Sequence, residues 1–229
     1  MSKILVLDPG HGGSDPGAVG NGLREKDLTL DICKRIKKYL EASYTGIKVH
    51  MTRTTDKYLS LSQRAQFANN KKADLFVSVH INAGGGTGYE DFIHNSLSNS
   101  STTAKMRDTF HKEVVKEQSF WRNRGKKKAN FAVLRETKMA AILTENGFID
   151  NKNDANKLKS SSYLDKIAKG HAEGIAKALG LKKKSTSSTN KNATTSTKTT
   201  NSKKTFYRVV VGSYTERKNA DAQVARLKK

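Results

Sequence analysis

The chain has 229 residues, 43 Lys and Arg against 21 Asp and Glu for a net charge of +22, 35% hydrophobic residues and one cysteine. That length supports one sizeable core, and a single cysteine excludes an internal disulfide framework. No stretch approaches the roughly 18 apolar residues of a membrane-spanning helix, and the positive surplus implies an anionic partner: nucleic acid, an acidic membrane surface or an anionic cell-envelope polymer.

The first ten residues, MSKILVLDPG, hold one Lys and four consecutive apolar residues, about half the apolar run of a secretory signal and with no small-residue cleavage site. The expectation is synthesis in the cytoplasm without a signal peptide, and action on a wall or outside the cell only after release by lysis. Ile4 to Leu7 is a wholly apolar run stopped by turn residues, which predicts a strand buried on both faces. It leads into LDPGHGGSDPGA, residues 7–18. A phosphate cradle fits this loop poorly: Asp15 and Pro16 stand where a nucleotide-binding helix should start, no Gly-Lys-Ser/Thr follows, and Asp8 and Asp15 repel phosphate.

Residues 27–42 place Leu28, Ile32, Ile36 and Leu40 at helical spacing opposite lysines, an amphipathic helix in which Cys33 reads as a small buried apolar group. Residues 48–53 predict a second strand. Residues 59–70 predict a helix with Leu61, Ala65 and Ala68 on one face, and residues 75–80 a third strand. Helices over 104–118 and 162–179 and a strand over 140–144 complete an alternation that argues for an α/β sheet layered by helices. Within FWRNRGKKKANF, the cluster of Arg122, Arg124, Lys126, Lys127 and Lys128 reads either as a solvated loop or as a holder of anionic substrate groups. Aromatic residues flank this run rather than interleave with it, which disfavours nucleic acid.

Net charge divides as +11 over residues 1–181 and +11 over the last 48, so the tail is far more densely basic. Residues 182–204 are almost entirely Lys, Ser, Thr and Asn and predict a disordered linker spanning about 25–30 Å as a coil. Beyond it, Tyr207 to Val211 predicts a strand and Asn219 to Leu227 a helix, a short βα tail that buries too little to stand alone.

His11, Arg53, His80 and Glu145 each lie at or just past the end of a predicted strand, so they converge if those strands run parallel, because ligands of open α/β sheets bind outside the carboxyl ends of the strands. Two histidines with one carboxylate is a ligand set for catalytic zinc, and Asp8, Asp15 and Glu25 are all candidates for the carboxylate. Glu145 emerges from an apolar strand, where desolvation raises its pKa toward that of a general base; a solvated or salt-bridged glutamate is the alternative. His50 in a strand, His94 in a loop, and His111 and His171 on helices read as structural histidines.

LDPGHGGSDPGA, LREKDLTL, MTRTTD, SVHINA and LTENGFI, in this order and spacing, resemble the zinc-dependent N-acetylmuramoyl-L-alanine amidases of the amidase-3 family, over residues 3–181. GGGTGYE, RGKKKANFAVLRE and DANKLKSSSY resemble its Bacillus mother-cell-lysis and phage-type members. The resemblance implies one Zn2+ ion held by His11, Glu25 and His80, Glu145 as catalytic carboxylate, and hydrolysis of the amide joining N-acetylmuramic acid to L-alanine in peptidoglycan. It implies a mixed, mostly parallel six-stranded sheet with helices on both faces, of the phosphorylase/hydrolase-like α/β class.

Arg53, Arg64, Asn82, Asn130 and Arg135 are then candidates for substrate contact or site support, and Asp8 and Asp15 read as turn and supporting groups. FYRVVVGSYTERKNADAQVARL resembles the start of a SPOR domain, a peptidoglycan-binding module. The expected organisation is a catalytic domain over 1–181, a linker over 182–204 and a partial SPOR-like segment over 205–229. The expected partners are peptidoglycan and anionic teichoic acid, with no nucleic acid, and the expected state is a monomer. Two other readings stand beside this one: a non-enzymatic binder of anionic wall polymer or nucleic acid, and a different zinc hydrolase acting on the same polymer.

Overall fold

The short apolar runs build the centre of a sheet, and the amphipathic segments cover it. The computed structural model describes residues 2–184. In chain order its elements begin with β1 (Lys3–Pro9), a small ribbon of β2 (Val19–Gly20) and β3 (Leu23–Arg24), α1 (Glu25–Ser43), β4 (Tyr44–Thr45) and β5 (Ile47–Met51). Then follow α2 (Leu61–Asn70), β6 (Leu75–Asn82), β7 (Tyr89–His94), α3 (Thr102–Glu117), β8 (Asn123–Ala129) and α4 (Ala132–Arg135). The described chain ends with β9 (Ala140–Phe148), α5 (Lys152–Leu158), α6 (Ser161–Ala178) and β10 (Lys182–Lys183).

Six strands form one sheet in the order β5-β1-β6-β9-β7-β8. The first four run parallel, β7 is antiparallel to β9, and β8 is parallel to β7. This is the mixed, mostly parallel sheet the family resemblance implies. Parallel pairing brings the carboxyl ends of β1, β5, β6 and β9 to one edge, as the convergence of His11, Arg53, His80 and Glu145 requires.

The two faces are covered unequally. On one, Leu5, Leu7, Val77, Val79, Ile93 and Ile142 pack into a large core with Ile32, Ile36 and Leu40 of α1, Phe110 and Val114 of α3, and Ile167 and Ile175 of α6. On the other, Val6, Phe76, Ala141 and Leu143 meet a smaller set, Ala68, Ala73, Val133 and Leu134 from α2, α4 and the turn after α2, with Phe67, Phe92 and Met139 packed at its margin. Successive strand residues alternate faces. Continuing along the thinly covered face from Val6, Phe76 and Leu143 therefore reaches Asp8, Ser78, His80 and Glu145, past the reach of the short helices.

Several expectations need correction. Leu61 is 56% exposed rather than buried with Ala65 and Ala68, because α2 starts at Leu61, two residues later than expected, on a Ser60–Gln63 capping box and turns this first residue outward. His94 ends β7 instead of lying in a loop, and the basic run is the edge strand β8. Lysines at an unpaired edge discourage further strand pairing, so a run with no apolar alternation can still be a strand. Lys182–Lys183 pairs antiparallel with β4, which places the first residues of the expected linker within the folded part. The remainder of that linker and the βα tail lie outside the described residues. Cys33 is fully buried on α1 as expected, and no described helix is long and apolar enough to cross a membrane.

Candidate active site

His11 sits just past β1 in a loop whose backbone leaves the sheet and so needs donors for its carbonyls. Two buried arginines supply them. Arg53 donates to the carbonyls of Pro9 (3.1 Å), Gly10 (2.9 Å) and Lys26 (2.8 Å), and Arg64 to those of Pro9 (2.7 Å) and His11 (2.8 Å). Arg64 also pairs with the fully buried Asp8 at 2.9 Å, which accepts from Ser78 (2.8 Å) and Thr52 (2.6 Å). Both arginines are thereby placed as supports of the loop, with their guanidinium groups engaged by it.

The loop holds His11 at φ 61°, a left-handed conformation uncommon for a residue with a Cβ and one that tends to cluster at functional sites. Asp15 Oδ2 lies 2.8 Å from His11 Nδ1, which orients the ring and leaves Nε2 facing Glu25 Oε1 at 3.2 Å. His80, on β6, brings Nδ1 to 2.9 Å from the same Glu25 oxygen. Glu25 is the first residue of α1 and is buried; Oε1 accepts from the Ile81 N–H (3.0 Å) and Oε2 from the Ala18 N–H (2.9 Å). Two glycines make the approach feasible. A Cβ at Gly10 would stand 2.3 Å from the His80 ring, and one at Gly17 2.7 Å from both Glu25 and the His11 ring.

The ligand atoms of His11, Glu25 and His80 all lie within 4.8 Å of one another, the only such triad found among the described residues. Burial works to lower the His80 pKa but is outweighed by the hydrogen bond and charge of Glu25, which hold it up at about 9. His11 is raised in the same way, and Glu25 is held well below the usual carboxylate range by the two imidazoles despite its burial. The three groups thus create a strong demand for positive charge at one point.

Glu145 is the β9 residue in register with His80. Its Oε2 is buried without a hydrogen-bond partner, and desolvation, opposed by His80, pushes its pKa up to about 7. In register with it on β7 stands Glu90, a buried carboxylate that the sequence reading did not single out. Glu90 accepts from Asn82 Nδ2 (2.9 Å), Arg124 Nε (2.6 Å) and Lys127 Nζ (2.5 Å). Asn82 therefore supports Glu90. Asn130 and Arg135 bond to each other (2.7 Å), and Asn130 lies 3.1 Å from His94 Nε2. His94 and Arg135 line a separate hollow of about 310 Å³ that contains none of the triad.

A small cleft beside His11 and His80 is walled by Tyr58, Leu59, Leu61 and Val133, none of them singled out from sequence as wall residues. Only the solvent exposure of Tyr58 and Leu61 marks them, and a sequence does not display exposure. A wider groove of about 630 Å³ lies between α1 and α6, where Arg35 is already paired with Asp31 and Asp165. It brings together no acid–base or ligating set, so size does not locate the chemistry.

A family model described as N-acetylmuramoyl-L-alanine amidase matches residues 5–177. The chain belongs to this amidase family. A second model, described as SPOR domain, matches residues 172–229. The chain is 46% identical over 222 residues to the sporulation-specific N-acetylmuramoyl-L-alanine amidase of Bacillus subtilis, covering 97% of this chain and 79% of that one. It is 49% identical over 188 residues to the endolysin of Bacillus phage SPP1, covering 81% and 69%.

The fold is similar to the catalytic domain of the amidase CwlV from Bacillus (Paenibacillus) polymyxa, with a TM-score of 0.74, 32% identity and coverage of 79% of this chain and 99% of that one. The amidase of Clostridium difficile 630 is equally similar, at a TM-score of 0.74 and 36% identity, over 78% and 97%. As a member of the amidase family the chain is an enzyme acting on peptidoglycan.

Proposed function

We propose that this amidase is a zinc enzyme in which His11, Glu25 and His80 hold the metal and Glu145 moves the proton. The observation that carries the reading is the convergence of two imidazole nitrogens and one carboxylate oxygen beside a glutamate with a buried, partnerless oxygen. The donor set is that of catalytic zinc sites, and a divalent cation would take the place of the protons that the buried Glu25 holds on the two histidines. When bound, zinc supplies Lewis-acid polarisation of the amide carbonyl and brings the pKa of a coordinated water down to about 7.

The chain's own groups do the rest. Asp15 fixes the His11 ring so that Nε2 faces inward. The Ile81 and Ala18 amides fix both oxygens of Glu25. Glu145, with one carboxylate oxygen buried and unpartnered, takes a proton from the attacking water and delivers it to the leaving L-alanine nitrogen. A group with a pKa near 7 suits both halves of that transfer.

The decisive experiment is digestion of purified peptidoglycan with the metal-loaded enzyme, the chelated enzyme and the chelated enzyme resupplied with zinc. New N-terminal L-alanine that disappears on chelation and returns with zinc is the expected result. New reducing sugar, or release indifferent to chelation, overturns the reading.

The proposal extends to monomeric action on the wall after release by lysis, with the SPOR-matching tail and the basic surplus holding the enzyme to peptidoglycan and teichoic acid. Similarity to a sporulation-specific amidase and to a phage endolysin supports it. Wall retention that falls steeply with salt is the expected measurement, since screening weakens exposed charge interactions.

A further inference from the structure

The thinly covered face continues beyond the catalytic glutamate into a cluster that the amide chemistry does not use. His80, Glu145 and Glu90 stand in one row across β6, β9 and β7, each in register with the next. A break in the β7–β8 register between Tyr89 and Asp91 lets both Arg124 and Lys127 of the edge strand turn onto this face and meet at Glu90. One buried carboxylate is thus faced by two cations. Among the described residues Arg124 makes no hydrogen bond through Nη1 or Nη2, and Lys127 Nζ has Glu90 as its single partner. Both side chains keep access to solvent, 27% for Arg124 and 38% for Lys127, and the Arg124 guanidinium lies over the Phe148 ring at 4.8 Å, which fixes its plane.

The two ends of the row differ in charge. Beyond His11 the wall is apolar, with Tyr58, Leu59 and Leu61, and the charges there are already matched: Asp15 with His11, Asp56 with Lys26, and the Arg64 guanidinium with Asp8 and backbone carbonyls. A negatively charged part of the substrate finds no free cation among these groups and is attracted at the other end, where Arg124 and Lys127 outnumber Glu90.

We infer that Arg124 and Lys127 form a carboxylate-binding subsite for the stem peptide, so that the substrate lies across the sheet with its sugar toward Tyr58 and Leu61 and its peptide toward β8. The inference rests on the amidase reading above. The spacing agrees with it. Arg124 and Lys127 reach in to Glu90, one strand, or about 4.8 Å, from Glu145. A carboxylate on the α-carbon of the residue after L-alanine lies about 5–6 Å from the nitrogen of the cleaved amide, given about 3.8 Å between successive α-carbons. The free guanidinium nitrogens offer it a planar, charge-assisted pair of hydrogen bonds, with Lys127 as a second point charge. Glu90 holds both cations in place and leaves one net positive charge.

The test compares two soluble muramoyl dipeptides, one with a free α-carboxylate on the second residue and one with the corresponding amide, cleaved by the zinc-loaded enzyme. The wild type is expected to favour the carboxylate by about tenfold or more in kcat/KM, chiefly through KM, the size of one hydrogen bond to a charged group. Arg124→Gln and Lys127→Gln each shrink that preference, and the double variant abolishes it; removing both cations leaves the buried Glu90 unpaired beside Glu145, so rates on both substrates are expected to fall and the carboxylate-to-amide ratio is the readout.

No preference in the wild type overturns the inference, as does an equal loss on both substrates with the preference intact, which would make the pair purely structural. Equilibrium binding of the two released dipeptides to the same proteins reads the subsite separately from turnover. A protein that cleaves neither substrate but binds the carboxylate dipeptide more tightly refutes the amidase reading and keeps the subsite; one that cleaves both alike does the reverse.

Discussion

The two faces of the sheet bury the same kinds of side chain and use them differently. On the thickly covered face, His171 of α6 is fully buried among Tyr89 and Phe110, with Nδ1 at 2.8 Å from the Ile167 carbonyl and Nε2 at 3.1 Å from Thr144 Oγ1. His111 is closed against Asp91 at 2.6 Å. On the thinly covered face, His11 and His80 point with Glu25 at one spot, and Glu145 beside them has an oxygen with no partner. A histidine whose two nitrogens are satisfied inside a helix-covered layer acts as packing. Histidines held over a shared carboxylate, where the covering helices have ended, form the candidate ligand site. Helix length on one face therefore decides where this enzyme works.

The sharpest way to break this comparison is to remove the unpartnered carboxylate. Glu145→Gln keeps shape and burial but cannot accept the proton. It is expected to lower kcat by roughly 10³-fold, within the span of general acid–base contributions, with zinc content and peptidoglycan binding retained. Turnover, metal analysis and pelleting with purified wall check the three parts. Near-normal turnover removes Glu145 from the mechanism.

Arg64→Met asks whether polar groups beneath the open face carry stability as well as geometry. It strands the buried Asp8 without its cation, and loss of one partner of a buried pair costs about 3–5 kcal/mol. Urea denaturation of the metal-free protein should show a loss of that order. A loss under about 1 kcal/mol would mean that Ser78 and Thr52 suffice for Asp8.

On the closed face the expected signature is one of pH. Burial pushes His171 down to about 4 from its ordinary 6.5. The unfolded chain therefore binds a proton below pH 6.5 that the folded state refuses, and stability falls as pH drops from about 6.5 to 4. A shift of that size corresponds to about 3 kcal/mol over the window. An NMR titration in which the His171 ring inflects near pH 4 supports a sealed, neutral packing histidine, whereas inflection near 6.5 would mean the layer is open to water.

The asymmetry between the faces also explains what the sequence made legible. Strands β1, β6 and β9 and helices α1, α3 and α6 were readable because burial on both faces, or on one helix stripe, writes an apolar pattern into the chain. His11, His80 and Glu145 were readable because each lies at or just past a strand predicted from such a run. Glu25 became one ligand among three candidate carboxylates only through the family resemblance, since its approach to His80 depends on how the loop after β1 returns. Strands β7 and β8 were missed because one carries Glu90 and Asp91 and the other is a lysine-rich edge, so neither has an apolar alternation. Leu61 was placed on the wrong side because a capping box, not the hydrophobic period, sets where α2 starts. Arg53 and Arg64, read as substrate contacts or supports, show their role only through the carbonyls they meet in three dimensions.

The smallest expected effect concerns how the open face aims its ligands. Asp15 touches no position where a metal would be ligated; it holds His11 Nδ1 at 2.8 Å and accepts from the Gly17 N–H at 3.0 Å. Asp15→Asn keeps the size of the side chain and the contact to Gly17 but weakens the orientation of the ring and its basicity at Nε2. Partners of this kind contribute about 10–100-fold to metal affinity. Competition against a chelator of known affinity should show zinc binding weakened within that range, with kcat at saturating zinc changed far less than by Glu145→Gln. Equal affinity would mean that the left-handed loop and the Arg64 bond to the His11 carbonyl already fix the ring, and that backbone geometry, not the aspartate, positions the ligand.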